Sequence, residues 1–189
     1  MRYIMKVAAL AFALLLMGSG AMAQLQITEP DKSPLDVSYH PHGYPILKIQ
    51  GKSAPARPSA RVLYSRPQKN GRTIFGDVVR YGEVWRMGAN ESTEVEFYRD
   101  VTVAGKTLAK GRYTLYAIPQ AGKWVIIFNK GLDNWGAFNY QKELDAARVE
   151  VPVARADAPV EFFTIVFDAN GNLVVLWDAV KVAIPIKYK

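Results

Sequence analysis

The sequence predicts an all-β protein, an antiparallel β-sandwich with Greek-key or jelly-roll-like topology and at most one short helix. Beyond residue 58, apolar and polar residues alternate in short runs such as Thr93–Tyr98, and a period of two residues is typical of half-buried strands. Asn170-Gly171 marks a tight turn between two such runs. Gly111 and Tyr113 match the corner at which a strand crosses between the sheets of a sandwich. A single barrel is the alternative arrangement of these strands.

The first 23 residues are typical of a signal peptide. Arg2 and Lys6 give a basic start, Val7–Met17 is an apolar run, and Ala21-Met22-Ala23 is a small-residue cleavage site. We therefore expect cleavage after Ala23 and a periplasmic or secreted protein. The apolar run is shorter than the ~20 residues that a membrane span needs, and no later run is longer, so stable membrane insertion is not expected.

Residues 24–58 are predicted to be a proline-rich extended arm. Each proline removes a backbone hydrogen-bond donor and restricts the residue before it, which disfavours a helix. His40 and His42, the only two histidines in the chain, lie near Asp36. No third ligand can be placed beside them, so an ordinary surface turn is expected there and no metal site is predicted.

Residues 59–189 form the predicted sandwich domain. Thr73–Val79 is a weaker strand or a loop, and Gln141–Ala147 is the one stretch that suits a helical turn. Trp124 and Trp177 lie in strongly apolar runs and are expected in the core. The predicted strands are Ala60–Arg66, Thr93–Tyr98, Val101–Val103, Lys106–Leu108, Tyr113–Pro119, Trp124–Asn129, Arg148–Val153, Val160–Phe167, Leu173–Trp177 and Val180–Ile186.

Composition limits the chemistry and the partners. The chain has no cysteine, and its 24 basic and 17 acidic residues give a net charge of +7. Disulfide bonds are therefore excluded, and the core alone must stabilise the fold. The basic residues are scattered singly between apolar residues and form no run in the sequence, so nucleic acid is not an expected partner. The oligomeric state stays open.

The motifs of the common catalytic machineries do not occur in the sequence. There is no phosphate-binding glycine loop, no serine elbow, no cysteine nucleophile and no HExxH pair. We therefore predict no catalytic residue and no cofactor, and the question of enzymatic activity stays open. Because both histidines precede the domain, a general base on it would have to be a carboxylate, a lysine or a tyrosine.

The stretch Gly82–Tyr98 is the first part of a candidate ligand-binding site. It is a polar, glycine-marked corner that runs directly into a strand. A guanidinium, an amide, a carboxylate and a hydroxyl together can fix the polar groups of a ligand. The residues that supply these groups are Arg86, Asn90, Glu91 and Thr93.

The loop Gly131–Tyr140 is the second part of the candidate site. It contains three aromatic residues, and loops rarely carry so much apolar surface unless they pack or bind. The flat ring of Trp135 suits the face of a sugar ring or a peptide. Tyr140 shares the loop, and Asn129 precedes it closely enough to direct its amide into the same space. We expect the loop and the corner to meet at one end of the sandwich.

Four motifs together point to a known family. They are Trp85-Arg86-x-Gly88-Ala89-Asn90-Glu91-x-Thr93, Gly111-x-Tyr113-x-Leu115-x-x-Ile118-Pro119, Trp124-x-Ile126-Ile127-x-Asn129-Lys130 and Trp135-Gly136. The motif at Trp85 is the specific one. Through these motifs the sequence resembles the domain-of-unknown-function 2911 family over about Ser59 to Lys189. This resemblance implies an exported β-rich domain, mostly from the Bacteroidota, and no established reaction, substrate or cofactor.

Three hypotheses about function follow. The first is a non-catalytic module that binds a glycan or peptide of the cell envelope, with Arg86 and Glu91 fixing polar groups and Trp135 stacking on the ligand. The second is a hydrolase of envelope carbohydrate in which Glu91 acts as acid or base together with Asp133 or Glu94. The third is a structural partner in an envelope assembly, on which the proline-rich arm docks.

Overall fold

The structure, a computed structural model, describes residues 27–51 and 54–189. The predicted signal peptide, residues 1–23, lies outside the described residues. The elements in chain order are β1 (Leu35–His40), α1 (Tyr44–Ile49), β2 (Ala60–Ser65), β3 (Glu94–Phe97), β4 (Val101–Val103), β5 (Lys106–Leu108), β6 (Gly111–Pro119), β7 (Lys123–Asn129), a 3-10 turn (Lys142–Leu144), β8 (Asp145–Phe167), β9 (Leu173–Ile184) and β10 (Ile186–Tyr188).

The strands form two antiparallel sheets. Seven of them make one sheet in the order β1-β2-β3-β6-β7-β8-β9, and β10, β4 and β5 make a small second sheet. Strands β3 and β6 pair directly although the β4–β5 hairpin separates them in sequence. The predicted antiparallel β fold is therefore confirmed.

The large sheet curls because β8 is long and irregular. Its first part, residues 145–152, pairs with β7, and its later part pairs with β9 with register shifts on both sides of Val160. Such irregularities bend a strand. The later part of β8 thereby reaches the segment after β2, where the Phe163 N–H donates to the Pro67 carbonyl at 2.9 Å. The two main layers are thus two parts of one curled sheet.

The core between these layers is aromatic at its centre. The rings of Trp85 and Trp177 stack with centroids 6.1 Å apart, and Trp124 meets Trp85 edge-on at 5.8 Å. All three side chains are buried. The prediction that Trp124 and Trp177 are core residues is therefore confirmed, and Trp85 anchors the corner that follows it.

The tyrosine corner has the geometry that the sequence predicts. The Tyr113 hydroxyl donates to the Ala109 carbonyl at 2.8 Å. This bond ties the first residues of β6 to the turn that follows β5, where the chain passes from the small sheet to the large one. The interpretation of Gly111–Tyr113 as a crossing between sheets is therefore confirmed.

The stretch predicted to be an extended arm is in part a strand of the domain. Strand β1 pairs with β2 from Leu35 opposite Ser65 to His40 opposite Ala60. Its prolines, Pro34 and Pro41, flank the strand and do not interrupt it, so all of its residues keep their backbone donors. The large sheet therefore begins within the predicted arm.

The short helix lies elsewhere than the sequence indicates. The predicted helical turn at 141–147 is only the 3-10 turn Lys142–Leu144, and β8 begins at Asp145. Among residues 27–51 and 54–189 the α-helix is α1, in which Pro45 lies in the first turn. Proline is tolerated there because the first helical N–H groups have no partner within the helix.

Candidate functional site

The corner, residues 85–93, is fixed on β2 and β6 by its backbone. Trp85 and Ala117 exchange two hydrogen bonds of 2.8 and 2.9 Å, and the Ser65 hydroxyl bonds both the N–H and the carbonyl of Ala89 at 2.6 Å. The Thr93 hydroxyl donates to the Met87 carbonyl. Thr93 is fully buried, and its side chain therefore stabilises the corner from the core side.

Two turns of the backbone direct the residues of the corner to different sides. Met87 and Asn90 adopt positive φ angles of 56° and 57°, a conformation that costs non-glycine residues roughly 1 kcal/mol or more. The hydrogen bonds of Ser65 and Thr93 hold this strained path in place. Arg86, before the first turn, and Glu91, after the second, consequently face separate concavities.

The aromatic loop, residues 131–140, lies directly against the corner, so the predicted adjacency of the two is confirmed. The Ser92 N–H donates to the Asn134 carbonyl at 2.9 Å, and the Gly136 N–H donates to the Asn90 carbonyl at 2.8 Å. The Ser92 hydroxyl donates to the Gly136 carbonyl, and Glu91 faces Trp135 in a bridge of strand type. These bonds fix the loop as a rigid neighbour.

Trp135 lies between two concavities at the junction of the corner and the aromatic loop. We call Trp135 and these two concavities the Trp135 rim. Its side chain is 58% exposed and stacks on Phe138 with ring centroids 6.1 Å apart and an interplanar angle of 12°. The first concavity, of about 460 Å³, contains Asn90, Glu91 and Leu35. The second, of about 350 Å³, again contains Leu35 and Glu91. Asn90, Glu91 and Trp135 therefore come together as predicted.

The second concavity also contains a group of charged side chains. Arg112 pairs through its Nη2 with Glu94 and with Asp133, the latter at 2.8 Å, and the Asp133 N–H donates to Glu94 Oε1 at 2.9 Å. The hydrogen bonds to Glu94 and Asp133 raise the pKa of Arg112. Glu91, by contrast, is exposed and makes no ion pair with any described residue.

Asn129 and Tyr140 make bonds that hold the aromatic loop. The Asn129 amide donates to the Gln141 carbonyl and to Asp145 Oδ1, and its oxygen accepts from the Gly131 N–H, each at 2.8 Å. The Tyr140 hydroxyl donates to Asp145 Oδ2 at 2.8 Å. Burial and this hydrogen bond raise the pKa of Tyr140 to about 12. Neither residue lines the concavities of the Trp135 rim.

Arg86 lies in a different concavity, which we call the Arg86 cavity. This space of about 380 Å³ is bounded by Trp85, Trp177 and Gly88, and it shares one lining residue, Ser33, with the first concavity of the Trp135 rim. Burial lowers the pKa of Arg86. The predicted pairing of Arg86 with Trp135 at one ligand therefore does not occur at the Trp135 rim, because the turn at Met87–Asn90 separates the two.

Sequence reasoning missed two features of these sites. Leu35 reaches the Trp135 rim from β1, which was predicted to lie in the arm. Lys32 and Arg72 line the Arg86 cavity, and their positions in the sequence, far from the corner, carry no signal of it. The aromatic residues of the loop and the polar residues of the corner were sufficient to predict the other site residues.

The described residues contain neither a candidate metal site nor a candidate membrane-spanning helix. In residues 27–51 and 54–189, three or more His, Asp and Glu side chains nowhere cluster as a metal ion would require. Within those ranges no helix has the length and apolar character to cross a bilayer. His40 stacks on Tyr188, with ring centroids 4.7 Å apart.

Comparison with known proteins gives one match. No curated protein and no solved structure matches the chain significantly. A family model described as "Protein of unknown function (DUF2911)" matches residues 50–186. This range covers most of the chain, including the corner, the aromatic loop and the lining of both concavities of the Trp135 rim apart from residues 31–35. The chain therefore belongs to the DUF2911 family.

Proposed function

We propose that this protein is a non-catalytic, exported binding module for a glycan or peptide of the cell envelope, and that the Trp135 rim is its binding site. The observation that carries the proposal is a largely exposed indole between two concavities, with a carboxylate and an amide beside it. Glycan and peptide sites commonly combine a flat aromatic surface with a few fixed polar groups.

Preorganisation of the rim supports the proposal. Three hydrogen bonds join the corner to the aromatic loop, and Phe138 stacks on the Trp135 ring. A ligand that stacks on the free face does not have to order the loop first. Binding therefore loses less conformational entropy than it would on a flexible loop.

The polar groups beside the ring suit a ligand rich in hydroxyl or N–H donors. Glu91 supplies a carboxylate acceptor at both concavities, and Asn90 supplies an amide at the first one. Because Glu91 is exposed and makes no ion pair in the described part of the chain, a ligand need not displace a protein partner to reach it.

The test is binding to arrays of envelope glycans and peptides by the wild type and by Trp135→Ala and Glu91→Gln. We expect Trp135→Ala to weaken the best interaction about tenfold or more, as for a central aromatic contact. Tyr81→Ala, which removes an exposed aromatic residue elsewhere on the surface, is the matched control and should bind normally. Equal binding by all four proteins would contradict the proposal.

A carboxylate-based hydrolase of envelope carbohydrate is a second candidate, favoured by one observation. Glu91, Glu94 and Asp133 all line the second concavity. Arg112 pairs with Glu94 and Asp133, whereas Glu91 makes no ion pair among the described residues, so Glu91 would act as the acid or base together with one of the other two. Release of soluble sugars from envelope polysaccharide, lost in Glu91→Gln, is the expected result. No release by the wild type would contradict it.

A further inference from the structure

The Arg86 cavity is lined by a half-buried cationic side chain, Arg86, that has no partner among the described residues. Arg86 Nε is buried and has no hydrogen-bond acceptor among the described residues, and the guanidinium makes no salt bridge in that part of the chain. A buried charge is normally paired because its desolvation is costly. A guanidinium that lines a cavity and has no acceptor among the described residues indicates that the acceptor comes from a ligand.

The charge around the cavity is of one sign. Lys32 and Arg72 line it together with Arg86, and none of its lining residues is an aspartate or a glutamate. Arg72 is held in place by its own bonds, since Nε donates to the Lys69 carbonyl at 3.0 Å and Nη2 donates to the Gln68 carbonyl. Low-dielectric walls concentrate such a field on anything that enters.

The walls of the cavity are both polar and apolar. Gln68 and Asn70 supply side-chain amides, and the indoles of Trp85 and Trp177 supply apolar surface. The Trp85 N–H is already engaged, because it donates to the Gly88 carbonyl at 3.2 Å. A guanidinium with free N–H groups beside flat rings fits an anionic group on a planar or apolar body.

We propose that the Arg86 cavity binds the oxyanion of a small ligand, a carboxylate or a phosphate, with the Arg86 guanidinium as the principal donor. Lys32 raises the local concentration of anions at the opening, and Trp85 and Trp177 contact the body of the ligand. This site is separate from the Trp135 rim, and neither proposal depends on the other.

The experiment measures the effect of anions on thermal unfolding and on tryptophan fluorescence at constant ionic strength. The probes are inorganic phosphate, sulfate, acetate and benzoate, with chloride as the reference anion. The proteins are the wild type, Arg86→Met and Arg99→Met. Arg99 is exposed and does not line the Arg86 cavity, so its variant has the same net charge as Arg86→Met and an intact cavity.

We expect at least one probe to raise the unfolding temperature of the wild type and of Arg99→Met above the chloride value. Arg86→Met should lose this effect, with the apparent Kd rising at least tenfold. Preference for phosphate and sulfate identifies a phosphate-type ligand, and preference for benzoate identifies a carboxylate on a planar body. The same anion effect in Arg86→Met, or none in the wild type, would overturn the proposal.

The anion-free state distinguishes a ligand-binding arginine from a structural one. Because Arg86 has no partner in the part of the chain that the structure describes, Arg86→Met should unfold at the same or a higher temperature than the wild type in chloride. A large decrease would mean that Arg86 stabilises the fold, and would count against the proposal.

The wild type gives an independent readout, since the Nε–H NMR signal of Arg86 should shift on addition of the preferred anion and not with chloride. An unchanged signal would overturn the proposal.

Discussion

Gly88 is the tightest point of the corner that separates the two sites. A Cβ at this position would lie 2.7 Å from Ser65 Oγ, and the backbone φ is +155°. Ser65 cannot yield easily, because its hydroxyl holds both the N–H and the carbonyl of Ala89. A side chain at residue 88 would therefore displace the corner from β2.

We predict that Gly88→Ala lowers the free energy of unfolding by ~1–3 kcal/mol, the usual cost of overpacking. Urea unfolding with an unchanged slope is the measurement. Gly122→Ala is the matched control, because a Cβ there meets nothing within 4 Å, and its effect should stay within ~0.5 kcal/mol. Equal stability of Gly88→Ala and the wild type would show that Ser65 moves aside.

We expect His40 to make the stability of the fold depend on pH. Its ring stacks on Tyr188, and burial lowers the pKa of His40 below 6.5, with Asp168 raising it and Arg99 lowering it to smaller extents. Below pH 6.5 the unfolded chain thus binds more protons at His40 than the folded one. This contribution to stability is present above pH 6.5 and is lost as the pH falls through the folded-state pKa.

We predict that the wild type loses stability between pH 7.5 and pH 5, and that His40→Phe loses less, because phenylalanine keeps the stacking and does not titrate. Urea unfolding across this range is the measurement. An NMR titration of the imidazole in His42→Gln, which leaves His40 as the only histidine, should give a pKa below 6.5. The same pH dependence in His40→Phe would contradict the prediction.

The aromatic loop keeps its shape through Asn129, at the end of β7. This side chain is only 1% exposed, and its amide joins Gly131, Gln141 and Asp145. Without it, the Gln141 carbonyl and the Gly131 N–H lose these hydrogen bonds. The position of Trp135 thus depends on a residue that does not line the concavities beside it.

We predict that Asn129→Ala lowers the free energy of unfolding by ~1–3 kcal/mol and speeds hydrogen exchange at the amides of Gly131 and Gly136. Asn139→Ala, in the same loop but exposed, is the matched control and should change neither quantity appreciably. Binding at the Trp135 rim should weaken in Asn129→Ala and not in Asn139→Ala. Unchanged exchange in both variants would mean that the corner alone orders the loop.

At the scale of the whole molecule, β1 is a strand of the large sheet, although the sequence predicts an extended arm at this position. Six residue pairs join β1 to β2, and Asp36 pairs with Arg66 at 3.1 Å. The hypothesis of an arm that docks on an envelope partner therefore cannot be tested by deleting residues 24–58, because this deletion also removes a strand of the large sheet.

We predict that a chain beginning at Ser59 unfolds at a clearly lower temperature than one beginning at Gln24, and that it associates more, because the edge of β2 becomes available for pairing. Thermal unfolding and sedimentation velocity are the measurements. If the chain that begins at Ser59 is as stable and as monodisperse as the chain that begins at Gln24, β1 is dispensable for folding. Deletion of residues 24–58 would then be a valid test of the arm hypothesis.

The alternation of apolar and polar residues was sufficient to predict the antiparallel β fold, and the Gly111–Tyr113 pattern was sufficient to predict the crossing between sheets. Both signals are local, since the period of a strand and the reach of a tyrosine hydroxyl depend on residues a few positions apart. The family was recognisable for the same reason, because the motif from Trp85 to Thr93 is continuous in the chain.

The division of the candidate site into the Trp135 rim and the Arg86 cavity came only from the folded chain. Arg86 and Glu91 are five positions apart, and no sequence pattern shows that positive φ angles at Met87 and Asn90 send them to different sides. The cavity also needs Trp177, which the bend of β8 and its pairing with β9 bring to the corner. Such contacts depend on long-range packing, which a periodic pattern does not encode.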